Sequence, residues 1–200
     1  YTDGTASILL EPQSTNLITY SEDFSDATFT YWQRTRLSLG STSVLSPSGN
    51  LDASKIIEDT SNSDHYLRSL SSNLTTGQKY VYSIFVKANG RSAVQLKLNG
   101  QASSEVIFDL SNGSINLQNS GVESASINEF KDNWFRISAS WTYSAGFPEL
   151  DLVNSSFSAS YLGDGISGVY VYGAQLEDLP YSTSYIPTNG AIATRLADSV

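Results

Sequence analysis

The sequence predicts an all-β chain folded as a two-sheet antiparallel β-sandwich of jelly-roll type with little helix, and three observations predict it. Roughly ten short runs alternate apolar and polar residues at regular spacing, with turn signals between them. No stretch carries a 3.6-residue apolar repeat over three turns, which limits helix to a few turns. The run GVYVYGAQLED, residues 168–178, is a nearly uncharged string of β-branched and aromatic residues close to the C-terminus. It suits a central strand that pairs with strands made much earlier, and a barrel is the runner-up architecture.

The elements follow in order. SILLEPQSTNLITYSEDF holds two short apolar patches, Ile8 to Leu10 and Leu17 to Ile18, separated by Pro12, which cannot donate to a ladder and so places the segment at a sheet margin. TYWQRTRLSL alternates, with Tyr31, Thr35, Leu37 and Leu39 on one side and Trp32, Arg34, Arg36 and Ser38 on an exposed, basic side. SPSGN is a turn. ASKIIEDT and HYLRSLSS are two further strands, joined by a polar loop that carries His65. LTTGQKYVYSIFVKANGRSAVQLKLNG predicts a hairpin about Asn89-Gly90, and SSEVIFDLSNGSINL a second about Asn112-Gly113, with Val106, Phe108 and Leu110 inward.

ESASINEFKDNWFRISASWTYS gives a strand, a KDN turn, and a second strand. There Phe135, Ile137, Ala139, Trp141 and Tyr143 face the core, while Trp134, Arg136, Ser138 and Ser140 face out. PELDLVNSSFSASY is a weaker strand and LGDG a turn. In 168–178, strict alternation puts Tyr170, Tyr172, Ala174 and Leu176 on one side and Val169, Val171, Gly173, Gln175 and Glu177 on the other. Residues 180–200, with Pro180 and Pro187, form a wrapping or exit segment. The 200 residues suit one domain, and a chain that starts at Tyr1 with no methionine has the character of a module excised from a longer protein.

Composition removes several functions. The net charge of -9 repels phosphate backbones and anionic surfaces, so no nucleic-acid partner is expected. No run approaches the roughly 20 apolar residues of a membrane span, so no membrane insertion is expected. The N-terminal YTDGTASILLEP lacks the basic segment of a secretory signal. Without cysteine there are no disulfides, thiolate nucleophiles or sulfur-bound zinc, and one histidine cannot build an imidazole metal site.

Catalysis finds little support. A Ser/His/Asp site would have to use His65, and no GxSxG elbow surrounds a serine. The acids cluster in turns (Glu22/Asp23, Glu58/Asp59, Glu177/Asp178) rather than pairing on one strand face as a glycosidase needs. His65, Tyr66 and Arg68 are the one close set for a polysaccharide lyase, but adjacent strand residues point to opposite faces.

Oxygen-only calcium stays open, with Glu22, Asp23, Asp26, Glu177 and Asp178 as candidate ligands, against the alternative that these acids decorate turns. Surface aromatic chemistry is what remains. The 12 tyrosines offer flat apolar area plus a hydroxyl, suited to stacking on sugar rings. Trp32 and Trp134 fall on polar strand faces shared with Arg34, Arg36 and Arg136, and one shared sheet would make them an aromatic, cationic platform favouring acidic glycans. The competing placement buries one or both indoles under a crossing loop or a neighbouring subunit.

The opening NLITYSEDFSDATFTYW resembles that of carbohydrate-binding-module-like jelly rolls, and VYVYGAQLED, TSYIPT and ATRLAD resemble modules of bacteriophage tail-fibre and virion proteins, over about Leu9 to Asp198. The resemblance implies a non-catalytic module that binds an extracellular polysaccharide or cell-surface glycan. It also implies an extracellular or virion-surface location, and a trimer if the parent is a fibre. In such modules an acid of the opening motif and an Asp of the last strand hold a structural calcium. Asp23 stands near the first position, Gly173 or Gln175 stands where the second would be, and Glu177 or Asp178 could substitute, so the set is Glu22, Asp23, Glu177 and Asp178. The expected ligand-binding residues are Trp32, Arg34, Arg36, His65, Tyr66, Arg68, Trp134 and Arg136. A structural or oligomerisation module of a virion, and a lyase or hydrolase, are the alternatives.

Overall fold

The computed structural model describes residues 10–41, 43–71 and 73–199, and the apolar patch expected at Ile8 and Leu9 lies outside them. The strands are, in order, β1 (Ser14–Asn16), β2 (Trp32–Thr35), β3 (Leu37–Gly40), β4 (Ser54–Glu58), β5 (Asn62–Asp64) and β6 (Tyr66–Ser69). There follow β7 (Lys79–Asn89), β8 (Ala93–Asn99), β9 (Val106–Asp109), β10 (Ser114–Gln118) and β11 (Ser124–Phe130). The last are β12 (Trp134–Thr142), β13 (Phe147–Val153), β14 (Ser160–Leu162), β15 (Gly168–Glu177) and β16 (Ala193–Arg195). One 3-10 turn, Lys131–Asn133, is the helical content among the described residues.

Two six-stranded antiparallel sheets face each other: a first sheet β11-β12-β7-β15-β4-β3 and a second sheet β10-β9-β8-β13-β6-β2. The chain passes between sheets from β2 to β3, β4 to β6, β6 to β7, β7 to β8, β10 to β11, β12 to β13 and β13 to β15, which is the jelly-roll winding. Ile56, Tyr82, Ile84, Ile137, Trp141, Val171 and Leu176 of the first sheet pack against Leu67, Val94, Leu96, Phe108, Leu150 and Leu152 of the second. The Asn112-Gly113 turn joins paired strands β9 and β10 as expected, with Gly113 at φ 68°. The Asn89-Gly90 turn does not make the expected hairpin. Gly90 turns at φ 86°, but β7 pairs with β12 and β15 in the first sheet and β8 with β9 and β13 in the second, so the turn crosses between layers.

Two other expectations fail for backbone reasons. TYWQRTRLSL is not one strand: Arg36 sits at φ 56° and carries the chain from β2 in the second sheet to β3 in the first. Across that break the alternation loses phase, so Trp32 turns into the core and Arg34 lies beside it opposite Leu67. In β15 the register against β7 slips between Tyr172 and Gln175, with Gly173 at φ 59°, a β-bulge that inserts one residue. Val169, Val171, Ala174 and Leu176 therefore share the core side, while Tyr170, Tyr172, Gln175 and Glu177 share the outer side. The opening segment takes up the backbone groups that the bulge leaves unpaired. Ala174 N donates to Ser21 O at 2.9 Å, and buried Asn16 donates to Ala174 O at 3.1 Å and Ile186 O at 2.9 Å.

Residues 17–31 close over Trp32. Asp26 organises this lid by accepting from the N–H groups of Tyr31 at 2.6 Å, Thr28 at 2.9 Å and Trp32 at 3.2 Å. The Tyr31 bond leads these in holding the Asp26 carboxyl far below the ordinary carboxylate range. A depressed folded-state pKa gives stability that is present above the ordinary value of about 4 and lost as pH falls through the folded one. Asp26→Asn is expected to lower the melting temperature at neutral pH and to flatten its decline on acidification, measured by thermal melts between about pH 7 and 2.

Candidate ligand-binding cleft

The outer face of the first sheet is not open to solvent throughout. Trp134, Arg136 and Ser138 project there from β12, as their alternation predicts, beside Phe85 of β7 and, through the bulge, Tyr170 and Tyr172 of β15. Two segments cover this face from opposite ends. Residues 43–53 fold over Trp134, whose Nε1 donates to Leu45 O at 3.0 Å, and Val44 and Ala53 pack against the same cluster. Residues 183–186 cover the other end, where Ile186 N donates to Gln175 Oε1 at 2.7 Å.

Between these covers lies a cleft of about 520 Å³. Phe85, Tyr172 and Arg136 form its floor on one cross-strand row, Pro47 and Ser48 one wall, Ser184 and Tyr185 the other, and Asn128, Glu129 and Phe130 of edge strand β11 its rim. Three rings meet around Phe85. Their centroids lie 5.7 Å away for Phe130 and 6.2 Å for both Tyr172 and Tyr185, with Tyr172 5.7 Å from Tyr185. Phe130 stays 42% exposed, so its ring is available to a ligand. Gly173 is required here: its φ is positive, and a Cβ would stand 3.1 Å from the Tyr185 ring and 3.2 Å from that of Phe85.

Arg136 supplies the charge. Its guanidinium lies 5.4 Å from the Phe85 ring centre and donates to Ser83 Oγ at 3.0 Å. The Nε donor is buried without a partner, an uncommon state for so strong a donor. Burial lowers the Arg136 pKa from its ordinary value, against the opposing pull of Glu177 and Glu11. Both tyrosine hydroxyls of the cleft already donate to Glu22 Oε1, Tyr172 at 2.8 Å and Tyr185 at 2.9 Å. Burial pushes both phenols above their ordinary range, which keeps them protonated.

Of the residues expected to bind ligand, Arg136 alone lies in this cleft. The platform of Trp32 with Trp134 does not form, since β2 and β12 belong to different sheets and both indoles are buried. Trp32 packs edge-on against Phe24 at 4.8 Å and donates from Nε1 to Tyr20 O at 2.8 Å. Arg34 is spent on the lid, donating to Phe24 O and Asp26 O. Arg36, exposed, donates to Asp64 O at 3.3 Å.

His65 is not a surface loop residue but fully buried, 3.3 Å by Nε2 from Asp59 Oδ1 without hydrogen-bond alignment and 5.0 Å from the Tyr161 ring. Tyr66 and Arg68 face outward from the second sheet, the guanidinium stacked 4.5 Å over the Tyr66 ring. Arg68 donates there to Glu149 at 2.6 Å and Gln33 at 3.0 Å. Phe85, Phe130, Tyr172 and Tyr185 were not among the expected residues.

The four carboxylates of the expected calcium set do not come together. Glu22 accepts from the two tyrosine hydroxyls, Asp23 from Ser25 N at 2.8 Å, and Asp178 from Gln78 at 2.6 Å. Glu177 is fully buried under donors, Ser14 Oγ at 2.6 Å and both N and Oγ1 of Thr183. Among the described residues no three His, Cys, Asp or Glu side chains stand where they could share an ion. The residues present do not fit the calcium site.

No family model matches the chain, and no curated relative does. Among solved structures it is similar to the CBM22-1 xylan-binding domain of Paenibacillus barcinonensis Xyn10C, with 13% identity over 83% of this chain and 96% of that one and a TM-score of 0.42. It is also similar to the carbohydrate-binding module CBM6cm-2 of Cellvibrio mixtus lichenase 5A, solved with cellotriose, at 12% identity over 82% and 96% and a TM-score of 0.39. A third is the mannan-recognising module TmCBM27, at 14% identity over 87% and 99% and a TM-score of 0.34.

Proposed function

We propose that this chain is a non-catalytic glycan-binding module whose sugar site is the cleft over Phe85, with a preference for saccharides that carry a carboxylate or sulfate. The observation that carries this reading is the pairing of an aromatic-lined cleft with one buried, incompletely satisfied guanidinium. Apolar sugar faces stack on flat rings, and Phe130 and Tyr185 offer theirs from the rim and one wall. The Arg136 fork binds a carboxylate or sulfate more strongly than it binds neutral hydroxyls. Glycoside hydrolysis takes two carboxyl groups, and Glu129 is the one carboxylate lining the cleft among the described residues.

The test is a glycan array holding neutral, uronate, sialylated and sulfated saccharides. Wild type is expected to bind acidic members. Phe130→Ala is expected to weaken binding roughly tenfold with little change in melting temperature, the loss of about 1.5 kcal/mol of ring contact. Arg136→Gln is expected to remove about 1.5–3 kcal/mol, a charge-assisted hydrogen bond, and with it the preference for acidic members. An array without binders, or one on which both variants bind like wild type, would overturn the assignment.

A further inference from the structure

The outer face of the second sheet carries a group of reactive side chains that sugar binding in the cleft does not use. Glu149 and Asp151 project side by side from β13, and both are fully buried although they point away from the core. Lys97 of β8, paired in register with Glu149, lies over them with its side chain 14% exposed. Its Nζ is 3.1 Å from Asp151 Oδ1 and 3.1 Å from Oδ2, equidistant from both oxygens. The amine thus bridges both oxygens as an ion pair, and a rotation of the Asp151 carboxyl about its Cβ–Cγ bond would turn the carbon between them toward it. Nζ also stands 3.0 Å from Glu149 Oε1, an oxygen that has no aligned hydrogen-bond donor, while Arg68 holds Glu149 Oε2 at 2.6 Å.

We propose that Lys97 and Asp151 condense into an intramolecular isopeptide bond, with Glu149 relaying the proton. Lys97 hands a proton from its ammonium to Glu149 Oε1, and the neutral amine attacks Cγ of the protonated Asp151 carboxyl. A C–N bond forms, the Cγ–OH bond breaks, and the hydroxyl leaves as water after taking a proton from Glu149. The remaining amine proton passes to Glu149 and then to solvent, so the sum is ammonium plus carboxylic acid giving amide, water and a proton.

The surroundings favour the reaction. Burial, aided by the charge on Glu149, raises the Asp151 carboxyl well above the ordinary carboxylate range, which brings the protonated acid that attack requires within reach of the ion pair it makes with Lys97. Burial also pushes the Lys97 ammonium down, but Asp151 and Glu149 together hold it above its ordinary value, which is why Glu149 must take the proton first. Condensation replaces a buried ion pair, costly to desolvate, with a neutral amide. The product would staple β8 to β13 at the centre of the second sheet.

Intact-mass spectrometry of the purified wild-type chain decides it. The expected mass is one water below that of the sequence, with a tryptic peptide uncut at Lys97 joined to the peptide carrying Asp151. Lys97→Arg and Asp151→Ala are expected to restore the mass of their own sequences, and Glu149→Gln to do so with both partners present and the circular dichroism unchanged. A folded wild type at full mass would overturn the proposal. So would a water loss confined to an unlinked peptide at Asp164-Gly165, the mark of a succinimide. Crosslinking that persists in Glu149→Gln would remove Glu149 from the step.

Discussion

Replacing Trp32 by alanine is expected to cost about 3–5 kcal/mol of stability, the range for deleting a large buried aromatic, while glycan affinity of the folded fraction stays unchanged. The indole is fully buried, packs on Phe24, and spends its one donor on Tyr20 O, so truncation leaves both a cavity and an unpaired carbonyl. It stands on the second sheet, whereas the cleft is on the outer face of the first. Urea unfolding gives the stability and titration below the transition gives the affinity. A Trp32→Ala protein that melts like wild type but no longer binds would return the indole to the binding surface.

Arg91→Ala is expected to be as damaging, by about 3–5 kcal/mol, because it strands a buried carboxylate. Glu58 at the end of β4 is fully buried and is held by Arg91 through both oxygens, by the Tyr161 hydroxyl at 2.6 Å and by Asp164 N at 2.8 Å. Arg91 also lies 4.8 Å over the Tyr161 ring. One ion pair therefore joins β4, the turn between β7 and β8, β14 and the loop into β15. Neutralising the stranded group should recover part of the loss, so Arg91→Ala with Glu58→Gln is expected to be more stable than Arg91→Ala alone in the same urea series. Simple additivity of the two losses would show that the charge is not what the network manages.

Much of this architecture is legible in the chain, and the misses have local causes. The alternation of WFRISASWT assigns both faces of β12 correctly, since nothing interrupts its period of two. What alternation cannot report is cover: Trp134 faces outward, yet residues 43–53 bury it. Phase fails where the backbone leaves the extended region. The positive φ of Arg36 reverses the faces of β2, and the Gly173 bulge moves Tyr172 to the outer face alongside Gln175.

The cleft itself was hidden for related reasons. Phe85 sits in the run YVYSIFV, buried on both faces and so without a periodic signal. Tyr185 comes from a proline-flanked segment with no regular structure. Asn16 carries no signal in the sequence and Glu177 reads as a calcium ligand, although both are buried and tie the chain's opening and closing segments to β15. Only the three-dimensional closure of the jelly roll brings those segments together.

A resonance titration locates the sugar site. The strongest binder from the array is added to isotope-labelled protein and the shifted amides are mapped onto the fold. The expected shifts concentrate at Phe85, Asn128, Phe130, Arg136 and Tyr185, the floor, rim and wall of the cleft. Shifts centred on Tyr66 and Arg68, with the cleft residues silent, would place the ligand on the outer face of the second sheet and rule out the cleft as the sugar site.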